Sequence, residues 1–378
     1  MTTFPFEAQR ALFPILARKA QLSSCSQSAV STTVSDAIAR YMASWADKGM
    51  DWGGWAGVLD QAKAGFARLI GADAADIAVM SCVSDLASSI GNCLSFDADR
   101  NGIVLGAIDF PSLGHVWLAQ QPRGAAVRFV ESDAGGEIAL EDYAQAIDAR
   151  TRLVSISQVS YANGFKQDIA AIAQLARARG ALLLVDAYQS AGVMQIDVMR
   201  DGIDMLVCGA QKYLLGCPGI AFMYVRRDLA QQLRPANTGW FGRVNPFAFD
   251  IRTLDYAQGA RRFDTGTPPY INAAAAGAGM ALLNSLDMAQ VEAYIEHLSG
   301  VALTQAARYG LPIASPLDPR RKGSNTAIRV NDSADVERRM ADAGYIVSAR
   351  GSVIRIAPHF YNTEEDVGGA IAALARIV

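Results

Sequence analysis

Residues 181–225 read ALLLVDAYQSAG, VMQIDVMRDGID and MLVCGAQKYLLGCPGIAFMYV in succession. This stretch contains three short apolar runs, which span 181–185, 205–208 and 219–225. Continuous apolar runs bounded by turn residues are typical of strands that are covered on both faces. Asp186 follows the first run and Lys212 lies shortly after the second. An acid and a lysine at strand ends, with no charged neighbour beside them, indicate a chemical role.

Pyridoxal phosphate chemistry would use both groups. A lysine amine forms a Schiff base with the aldehyde of this cofactor. A carboxylate that faces the pyridine nitrogen keeps the nitrogen protonated, because an opposite charge in a poorly solvated site favours the charged form. Asp186 and Lys212 are 26 positions apart (212 minus 186), about one βαβ excursion, so both can reach one crevice at the carboxyl ends of neighbouring strands. The alternative is a surface lysine at a turn and an aspartate that caps a helix.

The motif DAYQSAG followed by GAQKYLLGCPGIAF resembles the pyridoxal-phosphate segment of the class V aminotransferase family, and kynureninases are the members that it resembles most. The resemblance extends from about residue 51 to the C-terminus. It implies an α/β protein of fold type I, with a mainly parallel sheet covered by helices and a smaller α+β C-terminal domain. It also implies that Lys212 carries the cofactor, that Asp186 pairs with the ring nitrogen and that Gln189 contacts the phenolic side. Gln211, beside the lysine, belongs to the same site.

Length, charge and hydropathy limit the class of protein. A chain of 378 residues is long enough for two domains. We expect an N-terminal arm at 1–20, a large cofactor-binding domain at 21–283 and a small C-terminal domain at 284–378. A net charge of −3 gives no sign of nucleic-acid binding. No apolar run reaches the roughly 18 residues of a membrane span, and the first residues do not resemble a signal peptide.

Cysteines and histidines carry little functional signal. The five cysteines form no CxxC pair and no disulfide-like pattern. Reduced, mostly buried thiols suit a cytoplasmic location. The three histidines lie far apart in the sequence, so that no metal site is expected.

The run 77–80, the turn SCVSD and an apolar helical stretch predict a strand, a small polar turn and a helix. The N-terminus of such a helix offers unpaired N–H groups and a positive dipole end to a phosphate. The resemblance assigns phosphate binding to Val83, through its backbone N–H, and to Ser84. The alternative is that Ser81 or Ser84 caps the helix. Further strands alternate with helices until the helix 169–179 leads into the stretch that begins at residue 181, which predicts a parallel sheet with right-handed crossovers.

Three aromatic residues and a threonine take cofactor positions by resemblance. Phe110 would stack on the cofactor ring, although a phenylalanine of the core is the alternative. Tyr161 would lie near the phenolic oxygen. Trp240 and Thr267 would help to bind the phosphate, and in the family some of these groups come from the neighbouring subunit. The resemblance therefore implies a homodimer with its sites at the interface.

Arg355 stands between apolar neighbours in a predicted strand at 353–356. An arginine at such a position is either a salt-bridged structural residue or a clamp for a substrate carboxylate. The resemblance assigns it to the α-carboxylate of the substrate, and Arg350 is the weaker candidate for that role.

The resemblance implies an amino-acid substrate that replaces the Lys212 Schiff base and loses its α-proton to give a quinonoid carbanion. Transamination and kynureninase-like hydrolysis or β-lyase chemistry rank equally, with epimerisation behind them. Kynureninases differ at Gln189, Gln211 and Leu113. Cysteine desulfurase is disfavoured because the last cysteine is Cys217 and no later thiol can act as nucleophile. A protein of another class, an inactive cofactor-binding regulator, is the remaining alternative; a nucleotide-binding Rossmann protein ranks lower because no GxGxxG follows the first strand.

Overall fold

The computed structural model of the protein describes residues 5–97 and 99–378. In chain order its strands are β1 (Ala20–Gln21), β2 (Ile77–Met80), β3 (Gly102–Gly106), β4 (Ala126–Val130), β5 (Thr151–Ser157), β6 (Leu182–Asp186), β7 (Met205–Gly209), β8 (Ala221–Val225), β9 (Thr326–Arg329), β10 (Tyr345–Ile346), β11 (Ser348–Arg350) and β12 (Val353–Ile356). Its α-helices are α1 (Glu7–Arg10), α2 (Thr32–Lys48), α3 (Trp52–Leu69), α4 (Val83–Cys93), α5 (Pro111–Leu118), α6 (Leu140–Ala146), α7 (Ile169–Ala178), α8 (Arg227–Gln232), α9 (Tyr270–Asn284), α10 (Met288–Arg308), α11 (Ser333–Asp342) and α12 (Glu364–Ile377).

A seven-stranded sheet in the order β2-β8-β7-β6-β5-β3-β4 forms the centre of the molecule. The pairs among β3 to β7 are parallel, as predicted, whereas β8 is antiparallel to both β7 and β2. The sheet is therefore mainly parallel, and the predicted fold class is confirmed. The strand β8 is antiparallel to β7 because the segment 210–220 that joins them contains no crossover helix.

Successive residues of the central strands point to opposite faces of the sheet, and both faces are covered. Leu183 and Val185 belong to one buried cluster, whereas Leu184 belongs to another on the opposite face. The clusters also contain α3 and α9 on one side and α4 and α5 on the other. This double coverage explains why β6, β7 and β8 are apolar at almost every position.

The sheet reverses its strand order between β3 and β5, because β4 lies on one side of β3 and β5 on the other. In an open α/β sheet, ligands bind at such a switch point, outside the carboxyl ends of the strands. Residues 107–110 follow β3 and residues 158–161 follow β5 at this edge. The strand β6, which pairs with β5, ends there at Asp186.

The C-terminal part has its own small sheet, β11-β12-β9, which is antiparallel. Helices α10, α11 and α12 share a separate apolar cluster with this sheet. Ala20 and Gln21 pair in parallel with Tyr345 and Ile346, so the segment just after the predicted arm packs on the C-terminal part. The domain limits at 20 and 283 stay predictions.

Helix α2 was not predicted from the sequence. Ser31 caps it by accepting a hydrogen bond from the backbone N–H of Val34 at 3.2 Å. Only Val34 and Ala37 of the helix are buried. Of the helices in the described residues, none is long and apolar enough to cross a membrane.

Gly192 provides a test of the packing beneath the lysine segment. Its φ is 101°, and a Cβ there would collide with the carbonyl oxygen of Tyr213. We expect Gly192→Ala to lower the free energy of unfolding by about 2 kcal/mol or more, from backbone strain plus this clash. Chemical denaturation measures the change. Gly344→Ala is the control, since its φ is 91° but nothing lies within 4 Å of its Cβ. Equal losses in the two variants would contradict the predicted contact.

Candidate active site

A cavity of about 200 Å³ opens at the carboxyl edge of the sheet, beside the switch point. It is lined by groups that follow β2, β3, β5, β6 and β7, so strands far apart in sequence contribute to one space. The lining residues are Cys82, Val83, Ser84, Phe110, Ser112, Leu113, Ser157, Val159, Tyr161, Asp186, Tyr188, Gln189, Gln211 and Lys212. Of the sequence-predicted cofactor residues, all but Trp240 and Thr267 are in this set.

Asp186 ends β6 and is 6% exposed. Its Oδ1 accepts a hydrogen bond from the backbone N–H of Tyr188 at 2.8 Å. Burial raises the pKa of Asp186, and the Tyr188 N–H and the charge of Lys212 offset only part of that rise. The carboxylate therefore lacks a full complement of partners, and a cation placed in the cavity would favour its charged form.

The backbone around Lys212 is fixed by contacts with distant segments. Ser28 Oγ donates to the Lys212 carbonyl at 2.6 Å, and the backbone N–H of Leu215 donates to the same oxygen at 3.1 Å. Leu215 has a φ of 62°, an uncommon conformation for a bulky residue, and it is buried. A Cβ at Gly279 of α9 would collide with this turn. Such local strain persists only where the surroundings hold it in place.

The amine of Lys212 lies in an aromatic enclosure. Its Nζ is 4.2 Å from the ring centroid of Tyr188 and 5.6 Å from that of Phe110. Burial lowers the pKa of Lys212, with a smaller opposing effect of Asp186 and a further lowering by the charge of Arg355. A lysine with a lowered pKa is more often in the neutral form that attacks a carbonyl.

The first turn of α4 faces the same cavity. Cys82 is its N-cap residue, and no side chain of the described residues caps it. Neither Ser81 nor Ser84 therefore acts as the cap that the sequence left as an alternative. In the described parts of the chain, the backbone N–H groups of Val83, Ser84 and Asp85 have no hydrogen-bond acceptor. Unpaired donors at the positive end of a helix suit an anion such as phosphate.

Phe110 and Tyr161 form the wall at the switch point. Their ring centroids are 5.0 Å apart and the planes are perpendicular. Phe110 is 37% exposed, so it is not the core phenylalanine that the sequence left as an alternative. Gln189 Nε2 donates to the Cys25 carbonyl at 3.1 Å, and its buried Oε1 has no partner in residues 5–97 and 99–378. Gln211 Nε2 donates to the Ser26 carbonyl at 3.4 Å.

Arg355 is 1% exposed and lies behind Tyr161 rather than on the cavity wall. Its Nη1 donates to the Tyr161 carbonyl at 2.8 Å, and Nη2 donates to Ser26 Oγ at 2.8 Å and Ser348 Oγ at 2.6 Å. Its Nε is buried without a partner, and Arg355 forms no ion pair with any described residue. A buried cation without an anion is costly, which makes a salt-bridged structural role a poor explanation.

Trp240 and Thr267 lie away from the Lys212 cavity of the same chain. Thr267 lines a second cavity of about 310 Å³, together with Ser81 and Asp85, on the other side of the turn before α4. Trp240 packs edge-on against Trp52, with ring centroids 6.4 Å apart. A single chain therefore does not bring these two residues to the predicted phosphate position.

Tyr188 and Cys82 are cavity residues that the sequence did not identify. Tyr188 lies within DAYQSAG, two positions after Asp186, and a side chain at this position of a turn has no predictable direction. Cys82 is exposed. It forms no disulfide, and neither do Cys25, Cys93, Cys208 and Cys217. In the described part of the chain, no group of three or more His, Cys, Asp or Glu side chains could hold a metal ion.

Comparison with known proteins identifies the class. The family model of aminotransferase class V matches residues 23–368. The uncharacterized aminotransferase YcbU of Bacillus subtilis (strain 168) is 39% identical, over 98% of this chain and 97% of its own length. A kynureninase of Pseudomonas fluorescens is 26% identical, over 86% of this chain and 80% of its own. The fold matches a cysteine desulfurase from Thermococcus onnurineus NA1 with a TM-score of 0.89 at 20% identity, covering 100% of this chain and 99% of that one.

The chain belongs to the class V aminotransferase family and is a pyridoxal-phosphate-dependent enzyme of fold type I. The predicted family, fold class and cofactor are confirmed. The cavity fits this cofactor, since the unpaired N–H groups of α4, the incompletely paired Asp186 and Lys212 all line one space. The roles of the individual residues stay predictions.

Asp186→Asn tests the electrostatic part of this site. Because the folded-state pKa of Asp186 is raised above 3.8, its contribution to stability is complete below pH 3.8 and is lost as the pH rises through the folded value. At neutral pH we therefore expect the cofactor-free variant to melt no lower than the wild type. Its affinity for pyridoxal phosphate should fall about 10- to 100-fold, because a charge-assisted contact is lost. Melting curves and equilibrium titration with the cofactor measure the two effects.

Asp204→Asn is the matched control. Asp204 is also buried, but it pairs with Arg226 and the backbone N–H of Leu183, outside the cavity. This variant should bind the cofactor normally, because Asp204 lines no part of the cavity. Unchanged affinity in Asp186→Asn would contradict the assigned role.

Proposed function

We propose that the protein acts on an amino acid, with Lys212 as the residue that holds the cofactor covalently and transfers the α-proton. The observation that supports this most is the placement of one buried amine with a lowered pKa and one buried carboxylate in the same cavity. When bound, pyridoxal phosphate supplies an electron sink for charge that develops at the substrate α-carbon. Asp186 would keep the pyridine nitrogen of the cofactor protonated, and the electron sink would therefore be cationic. Nζ of Lys212 would remove the α-proton of the substrate and return it.

Arg355 is the group proposed to bind the substrate α-carboxylate. It lies close enough to Lys212 to lower the pKa of the amine, and an incoming carboxylate would supply the anion that Arg355 lacks. Tyr161, whose carbonyl binds Arg355 and whose ring lines the cavity, links this arginine to the reacting centre. Two cationic groups near a narrow cavity favour a substrate that brings its own negative charge.

Transamination is the reaction that the cavity supports best. Transamination needs a proton moved from one carbon to another, and a single base, Nζ of Lys212, would be enough for that. Hydrolysis also needs a base that activates water. Leu113 is the apolar wall residue where kynureninases carry an acid, and Asp186 is the sole carboxylate on the described wall. The relative named as an aminotransferase is also more similar to this chain than the kynureninase is. Kynureninase-like hydrolysis is the second candidate, because the kynureninase of Pseudomonas fluorescens is similar to this chain over 86% of its residues.

We also propose that two copies of this chain form the active dimer, in a reducing cytoplasmic setting that suits its free thiols. The segment 244–254 exposes several large apolar side chains, and Ile251 is 92% exposed. Trp240 contacts Phe247 and Phe249 of this segment and also Trp52, so it joins the segment to the exposed end of the α2–α3 pair. The exposed residues are Met42, Trp45, Met50, Trp52, Val244, Phe247, Phe249, Ile251 and Leu254. An apolar surface of this extent marks an interaction site.

Lys212→Ala tests the function. We expect turnover of amino acids to fall by about 10³-fold or more, because the base is removed, while the cofactor still binds without a covalent link. Lys19→Ala, an exposed lysine far from the cavity, should be fully active. Wild-type enzyme is supplied with a panel of amino acids, and the products are assayed as keto acid, pyruvate or a hydrolysed side chain. Keto acid formed in proportion to aminated cofactor supports transamination, and normal turnover by Lys212→Ala would contradict the proposal.

Mixing two inactive variants tests the dimer. One is Lys212→Ala, and the other carries Trp240→Ala and Thr267→Ala. If Trp240 and Thr267 serve the partner's site, a mixed dimer regains one intact site of two. Random exchange of subunits should then restore about a quarter of wild-type activity. Each variant alone is measured as the control, with its size determined by light scattering. No recovery after confirmed subunit exchange would overturn the proposal that these residues act across the interface.

A further inference from the structure

A cleft between the large sheet and the small C-terminal sheet adjoins the Lys212 cavity. Its volume is about 560 Å³, and Tyr161 lines both spaces. One wall consists of loops of the large sheet, at 132–136 and 160–163. The other wall comes from the C-terminal sheet, at Arg329 and 350–353. A substrate held at Lys212 can therefore extend past Tyr161 into this cleft.

Two arginines reach the cleft from the C-terminal sheet. Arg350 ends β11 and Arg329 ends β9. Val353 of β12 pairs with Arg350 on one side and with Arg329 on the other. Directly paired residues of antiparallel strands carry their side chains on one face, so the two arginines flank Val353. Arg355 lies two residues further along β12, on the same face and about 7 Å away along the strand.

Neither cleft arginine is neutralised by the protein. Both are exposed, and in residues 5–97 and 99–378 neither forms an ion pair. Arg329 Nη1 donates to the Ile313 carbonyl at 3.3 Å, and the side chain of Arg350 has no hydrogen bond to a described residue. Asp133 is the acid on the opposite wall, and its Oδ1 already accepts from the backbone N–H groups of Gly135 and Glu137 at 2.9 Å each. The lining charges sum to +1 (two arginines, one aspartate).

Arg350 projects from a well-held hairpin. The turn that follows it begins at Gly351, whose φ is 54°. Ser333 Oγ donates to the Gly351 carbonyl at 2.6 Å, and the backbone N–H of Val330 donates to the Ser352 carbonyl at 2.9 Å. The base of the arginine is thus fixed, and less ordering is needed when its guanidinium meets an anion.

We infer that Arg350 and Arg329 form a subsite for an anionic group at the far end of the substrate side chain. The substrate class is then an amino acid with an acidic side chain, whose α-carboxylate meets Arg355 and whose distal acid meets the cleft arginines. This inference rests on the proposed function, since it places the α-carbon at Lys212. Guanidinium groups bind carboxylate and phosphate alike, so both kinds of acid belong to the class.

Paired substrates that differ in one charge test the subsite. Reconstituted wild-type enzyme is assayed for kcat and KM with glutamate against glutamine, aspartate against asparagine, and phosphoserine against serine. Arg350→Gln and Arg329→Gln are measured alongside, with Arg376→Gln, an exposed arginine of α12, as the control. We expect each cleft variant to raise KM for the acidic member of the best pair about 10- to 100-fold and to leave KM for its neutral partner within about twofold. The control should change neither. The pair with the largest effect identifies the acid as carboxylate or phosphate.

Two results would overturn the subsite: a wild type that shows no preference for an acid over its neutral partner, or a preference that both cleft variants retain. A holoenzyme that reacts with none of the acidic amino acids overturns it as well, whichever others react. Failure of the proposed function differs from all of these, because the protein would then bind no cofactor at Lys212 and react with no amino acid.

Discussion

The site depends on two opposite charges that are held at the edge of one sheet and are largely removed from water. Burial drives the pKa of Asp186 up and that of Lys212 down, each toward its neutral form. Bringing such a pair out of water is costly unless geometry and further partners compensate. In this chain Asp186 lacks a full set of partners, and a protonated pyridine nitrogen would be the cationic partner that it lacks. The lowered pKa of Lys212 matches an amine that must attack an aldehyde.

The scaffold keeps these charges in place at some cost in backbone conformation. Leu215 adopts a positive φ, Gly192 lies against the Tyr213 carbonyl, and Gly279 permits α9 to approach the lysine turn. Ser28 fastens the carbonyl of Lys212 from the N-terminal segment. Contacts of this kind come from three distant parts of the chain, so the position of the amine is a property of the whole fold. A second buried lysine, Lys322, has a pKa lowered to about 7 by burial, but it binds Ser299, Thr326 and a carbonyl and lines no part of the cavity.

The sequence predicted the sheet and much of the cavity because both depend on local patterns. Apolar runs gave the strands, and the polar residues that follow them, such as Asp186 and Ser84, had to lie at one edge. The direction of β8 was not predictable from its composition, since an antiparallel buried strand is as apolar as a parallel one. Tyr188 was missed because the direction of a side chain within a turn depends on tertiary contacts. The resemblance allowed Trp240 or Thr267 to serve the neighbouring subunit, but a motif match alone does not say which of them lies outside the Lys212 cavity of its own chain.

The covalent link to Lys212 is the central claim, and borohydride reduction of the holoenzyme tests it most directly. Reduction fixes an imine as a stable amine, and mass spectrometry of the peptides then locates the attached cofactor. The account predicts the added mass on the peptide that contains Lys212 and on no other, with Lys322 unmodified. Cofactor recovered on a different lysine, or no attachment in a protein that turns over amino acids, would contradict it.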